Sequence, residues 1–77
     1  MGLTDQYIDD SSGVADARLK PWGMHAWAVI GYLKAAGGDE EWVAGGYDVP
    51  VEAVQAAQAY YKKHKALIDA RLTMNAV

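Results

Sequence analysis

DEEWVAGGYDVPVEAVQAAQAYY, residues 39–61, is the stretch on which the fold turns. It reads as a short helix, a tight turn and a longer helix. Asp39 is placed to cap the first helix, and Glu40 and Glu41 then sit at the positive end of its dipole. Gly45 and Gly46 are expected to end that helix. Pro50 suits the first position of the next one, where its missing N–H is no loss. The spacing of Val43, Ala44, Asp48, Val49, Val54 and Ala57 is that of a helix-turn-helix. Ala44 is small where two helices cross, and Val49, Val54 and Ala57 face inward and fix the crossing. Asp48 stands at the turn position that Gly commonly holds, and it takes the left-handed conformation more easily than most residues. A helical hairpin with no binding role is the competing reading.

Upstream, a helix is expected from about Met24 to Ala36, stopped by Gly37-Gly38. Its residues are apolar nearly all round, with only His25, Tyr32 and Lys34 as wet positions. A helix of that profile is buried on most sides, and a short chain has difficulty covering it alone. A homodimer or higher oligomer seated on Met24, Trp27, Ile30 and Leu33 is therefore expected. Burial by the rest of the same chain is the alternative. Lys20-Pro21-Trp22-Gly23 is a junction in which Pro21 extends Lys20. Before it, Tyr7-Ile8 and Val14-Ala15 flank the turn formers Asp10-Ser11-Ser12-Gly13. A small β-hairpin or extended arm is expected over 1–22, with a partly ordered tail as the alternative. A lone hairpin is marginal in water and must pack on something.

Downstream, Val54, Ala57, Tyr61, Ile68 and Leu72 stay in helical phase, as do Ala53, Tyr60, His64 and Leu67. One helix from Pro50 to Leu72 would be on the order of 35 Å long, more than a domain of this size spans. It is expected to break near Lys63-His64-Lys65 or to overhang. Lys65 and Asp69 make an i, i+4 pair in the weaker order. Residues 74–77 are expected to fray. The whole chain, 1–77, reads as one mainly α domain. Three to four helices over 23–73 form a homeodomain-like helix-turn-helix core behind a small N-terminal β element.

Composition narrows the function classes. The chain has 77 residues, no Cys and a net charge of −3. With no Cys, disulfide staples and thiolate metal sites are excluded. The acidic balance argues against nucleic acid as the main partner. No apolar run approaches the length of a membrane span, and Asp5, Asp9 and Asp10 mark the N-terminal segment, so a cytoplasmic protein is expected. Ser11 and Ser12 have no base nearby in sequence. His25 and His64 are single and read as a surface or interface side chain and a packed or helix-breaking one. The run Asp39-Glu40-Glu41 reads as a solvated helix start rather than a cation site. There is no phosphate loop or nucleotide fingerprint. No enzyme, cofactor or metal is expected.

From Tyr7 to Leu72 the chain resembles the small bacterial domain-of-unknown-function 433 antitoxin family. The residues that carry the resemblance are Tyr7-Ile8, Gly13-Val14, Gly23-Met24-His25-Ala26-Trp27 and Ile30-Gly31-Tyr32-Leu33. Further on come Ala35-Ala36-Gly37-Gly38-Asp39, Tyr47-Asp48-Val49-Pro50-Val51-Glu52-Ala53-Val54 and Ala59-Tyr60-Tyr61 with His64-Lys65 and Ile68-Asp69. The resemblance implies a homeodomain-like helix-turn-helix behind a small β element, and a role beside a PIN-like ribonuclease toxin that it neutralises. Many relatives carry a Gly-Thr-Arg or Gly-Arg-Gly type junction before the first helix. This chain has Pro21-Trp22-Gly23, with His25 where a basic residue is common.

Three functions then compete. The first is an antitoxin-like protein-binding module with weak operator binding for autoregulation. The second is a dimerising structural or interaction domain that has lost DNA binding, and the third is a small helix-turn-helix transcription regulator. The second helix argues against the third. Gln55 is suited to an adenine edge, and Gln58, Lys62, Lys63 and Lys65 are the other candidate nucleic-acid contacts. Yet from residue 39 to 58 the only charges are Asp39, Glu40, Glu41, Asp48 and Glu52. Phosphate contacts supply much of DNA affinity, and this face lacks them. The expected protein-partner surface is Asp39, Glu40, Glu41 and Glu52, all exposed, with Trp42 and Tyr47 as apolar anchors.

Overall fold

The computed structural model describes residues 3–75. In chain order the elements are α1 (Leu3–Tyr7), β1 (Ile8–Asp9), a 3-10 turn (Val14–Asp16), β2 (Arg18–Leu19), α2 (Ala26–Ala35), α3 (Glu40–Tyr47), α4 (Val51–Lys63) and α5 (Lys65–Asn75). The molecule is mainly helical, with one small antiparallel sheet near its N-terminus.

Local chemistry sets the helix ends. The Asp39 carboxylate accepts a hydrogen bond from the Trp42 N–H at 3.1 Å and opens α3. Gly45 and Gly46 do not close it, contrary to the sequence expectation. The helix runs through both and stops at Asp48, which is left-handed at φ 58°, ψ 48°. The Val49 N–H then bonds the Ala44 carbonyl at 3.0 Å and the Asp48 N–H the Gly45 carbonyl at 3.3 Å. That pair is a Schellman motif. The end of α2 repeats it: Gly38 N–H bonds Leu33 O at 2.9 Å and Gly37 N–H bonds Lys34 O at 3.2 Å, with Gly37 at φ 70°. Pro50 lies just outside α4, extended at its N-cap, rather than at the first helical position.

The N-terminal hairpin forms, in a different register from the expected one. Ile8 pairs with Leu19 and Asp9 with Arg18. Val14 and Ala15, expected to flank the turn as strand, lie in the 3-10 turn. Residues 3–7, read as part of the arm, are helical. The Ser11 hydroxyl and N–H both donate to Asp9 Oδ1, at 2.7 and 3.1 Å, and hold the tip. Residues 20–25 then turn the chain back beside β2, with the Leu19 N–H on the Met24 carbonyl and the Ala26 N–H on the Ala17 carbonyl, each at 2.8 Å, and α2 starts there.

α4 is the central element. It packs against α1, β1, α2, α3 and α5. Ala53, Val54, Ala56 and Ala57 on it are fully covered, and around them lie Leu19, Val29, Ile30, Val43 and Ile68. The alanines let neighbouring helices approach closely, so one helix serves as the floor for all the others. Tyr60 closes the far end: its hydroxyl donates to Asp10 Oδ2 at 3.1 Å across 50 residues of sequence. Burial, with that bond to Asp10, pushes the Tyr60 hydroxyl up to about 12.

The break expected near His64 is where α4 ends. His64 leaves helical geometry at φ −129°, ψ 38°, and its ring packs 4.6 Å from that of Tyr60. α5 turns back over α2 and the 3-10 turn, and the molecule stays within 28 × 27 × 19 Å. α5 continues to Asn75, within the stretch expected to fray, and residues 76–77 lie outside the described residues. Among the described residues no helix is long and apolar enough to cross a membrane.

Candidate functional site

The acidic residues read from the sequence lie at the start of α3 and in the first turn of α4. Asp39 caps α3, Glu41 projects into solvent beside it, and Glu52 is exposed in the first turn of α4. Glu40 corrects its expectation. It is half-buried, and its carboxylate accepts from the Gln58 amide at 2.6 Å and the Gln55 amide at 3.4 Å. The bridge ties α3 to α4. Gln55, read as suited to an adenine edge, and Gln58, read as a candidate nucleic-acid contact, each direct an amide nitrogen at that carboxylate.

Beside the acids stands an aromatic cluster. Trp42 is 55% exposed. Its ring lies 5.0 Å from Tyr32, and Tyr32 meets the edge of Tyr47 at 5.4 Å. Tyr47 is half-buried, and burial raises its hydroxyl above the ordinary tyrosine value, with Tyr32 adding to the shift. Tyr32 lies this close because position 46 has no Cβ: a Cβ there would sit 3.0 Å from the Tyr32 hydroxyl and 3.1 Å from its ring. Trp42 is thus an exposed apolar surface on a rigid backing, while Tyr47 belongs to the backing more than to the surface. Behind the tyrosines a cleft of about 440 Å³ opens between α2, α3 and α5, lined by Trp27, Ala28, Gly31, Tyr32, Tyr47 and Leu72.

The basic residues lie on another part of the surface. A second groove, of about 340 Å³, runs between α2 and α4 and is lined by Ile30, Leu33, Lys34, Gln58, Tyr61, Lys62 and Lys65. Its rim is organised by Asp69. Lys65 Nζ reaches Asp69 Oδ2 at 2.6 Å, and the Tyr61 hydroxyl donates to Oδ1 at 2.6 Å. Lys34 Nζ donates to the Tyr61 hydroxyl at 3.1 Å and lies 3.4 Å from Oδ1. The Lys65 and Tyr61 bonds hold the Asp69 carboxyl down at about 2. Lys34 is raised chiefly by its bond to Tyr61, and Lys65 by its bond to Asp69. Lys62 and Lys63 are exposed. Lys65, read as a phosphate contact, is already paired.

The dimer surface read from α2 is corrected in part. Ile30 is 2% exposed and Leu33 8%, covered within the same chain, so together they do not offer the broad apolar face a second copy would need. The short chain manages this because α4 and α5 both pack on α2. Met24 and Trp27 are half-buried, and Arg71 on α5 lies over the Trp27 ring at 5.9 Å while pairing with Asp16 at 3.0 Å. His25 stacks on Trp27 at 5.6 Å, half-buried rather than at the surface. Sequence reasoning missed Lys34, Tyr61 and the groove between them. Only the i, i+4 spacing of Lys65 and Asp69 hinted at that rim. Lys34 joins from 35 residues away, and no local pattern encodes that contact. Among the described residues no group of three or more His, Cys, Asp or Glu is arranged to hold a metal. No family model, curated protein or solved structure matches this chain.

Proposed function

We propose that the chain is an antitoxin-like protein-binding module that offers its α3–α4 surface to a basic partner, the cleft of a PIN-like ribonuclease toxin, in the cytoplasm. The observation that carries this reading is the pairing of an all-acidic surface with an exposed aromatic. Glu41 and Glu52 are exposed and stand free of hydrogen-bond partners among the described residues, and Trp42, next to Glu41 in the chain, is exposed on a packed tyrosine backing. An aromatic anchor ringed by charge is what a protein interface uses for affinity and for steering. A ribonuclease cleft is basic because it holds RNA, so an acidic surface complements it. The family resemblance supplies the partner class. The α3–turn–α4 unit reads as a helix-turn-helix whose second helix has no basic residue before Lys62, so operator binding is weak in this reading. Self-association uses Met24 and Trp27 rather than Ile30 and Leu33.

The test begins at this chain's own gene, beside which a PIN-like ribonuclease is expected, and its absence there would count against the reading. Glu41→Lys with Glu52→Lys reverses exposed charges and spares Glu40, which holds α3 to α4. Association with the toxin should slow by about tenfold or more, and nuclease activity should return, with the circular dichroism of the free protein unchanged. Sub-micromolar, sequence-specific DNA binding at physiological salt, with toxin inhibition untouched by the reversal, would overturn the reading in favour of a DNA regulator.

A further inference from the structure

We propose that the groove between α2 and α4 is a binding site for a free medium-chain fatty carboxylate, its tail on Ile30, Leu33 and the Tyr61 ring and its head at Lys62. The groove adjoins the acidic surface at Gln58, which lines it and donates to Glu40, but its occupant does not depend on the partner assigned to that surface.

The floor is apolar and belongs to the core: Ile30 and Leu33 reach it from α2 with almost no other exposure. The walls are the aliphatic stems of Lys34, Lys62 and Lys65, which cover apolar surface while their ammonium groups stay wet at the rim. At about 340 Å³ the space is that of a small-ligand site. The polar lining groups are mostly committed. The Gln58 amide nitrogen is held by Glu40, and the Tyr61 hydroxyl by Asp69. Lys34 and Lys65 share the single charge of Asp69, so the trio keeps a net positive charge. Lys62 makes no ion pair among the described residues. With Glu40 behind Gln58 also counted, Lys34, Lys62 and Lys65 against Asp69 and Glu40 leave a net charge of +1 beside an apolar slot, which is the complement of a carboxylate on an aliphatic tail. A nucleic-acid phosphate would meet the ammonium groups and leave the floor unfilled. A helix would need room for several side chains in a row. The larger cleft at Trp27 and Leu72 has no charged lining residue and nothing to hold an anionic head.

Octanoate, below its micellar concentration, is titrated into the full 77-residue chain by calorimetry and by amide chemical-shift mapping. We expect one site, with shifts centred on Ile30, Leu33, Gln58 and Tyr61. Across hexanoate, octanoate and decanoate the affinity should rise about threefold to fourfold per methylene. Octan-1-ol, which lacks the charge, should bind about fivefold more weakly. Lys62→Glu should weaken octanoate by at least the same factor. Lys20→Glu, the same charge change beside the hairpin, should leave it unchanged. No saturable binding, affinity that does not depend on chain length, equal binding of octan-1-ol, or shifts centred on Trp27 and Leu72 would each overturn the proposal.

Discussion

Two adjacent glycines in α3 look alike in sequence and differ in what they do. Gly45 is helical with nothing within 4 Å of where a Cβ would stand, while a Cβ at Gly46 would press on a Tyr32 ring already packed against Trp42 and Tyr47. Gly45→Ala should raise stability by about 0.5–1 kcal/mol, the helix-interior cost of Gly. Gly46→Ala should lose that gain and fall below wild type. Thermal melts of the two variants side by side check the contrast. Asp48 is the matching case at the turn. Asp48→Gly should be neutral or up to about 1 kcal/mol more stable, because Gly takes φ 58° without a Cβ clash. Denaturant midpoints at constant m-value measure it. The Asp39 cap and the left-handed Asp48 were legible in the sequence because each depends on its own neighbours. The paired glycines were misread as a stop because Asp48 takes the left-handed position that ends α3, and Gly46 is needed for Tyr32, a residue of another helix.

At the level of elements, one carboxylate ties α5 to two other helices. Asp69 gathers Lys65, Tyr61 and Lys34, and so links α5 to both α4 and α2. Its carboxyl is lowered from 3.8 to about 2 in the folded protein. A lowered carboxyl favours the folded state when ionised. Its contribution is therefore present above the ordinary carboxylate value and is lost as pH falls from about 4 through about 2. Wild type should melt above Asp69→Asn at neutral pH, and the gap should close across that window as both are followed by circular dichroism. The break at His64 was legible because one long helix would not fit the domain. The clustering of Lys34 with Asp69 was not, since two helices separated by α3 and α4 meet there only in the folded chain.

For the molecule as a whole, the deciding fact is that every other helix leans on α4 or α2. Ile30→Glu should unfold the chain. A buried unpaired carboxylate costs several kcal/mol, against a total of about 4–12 kcal/mol for a chain this long. Because Ile30 is covered internally, that loss should be the same at every protein concentration, and melts over a hundredfold dilution series check it. The all-round apolar character of α2 was legible and its burial followed. What covers it was not, because periodicity reports that a face is hidden and is silent on whether the same chain hides it. The hairpin was legible as a pair of strands around a turn. Its second strand was misplaced because Arg18 and Leu19 pair through backbone and carry no alternation of their own.

The bond between Tyr60 and Asp10 has a consequence for synthesis. The N-terminal arm leaves the ribosome first, yet the surface it folds on is α4, made some 50 residues later. At about 5–20 residues per second the nascent arm waits roughly 2–10 s without its template. During that interval Ile8 and Leu19, buried in the finished protein, lack the α4 part of their cover.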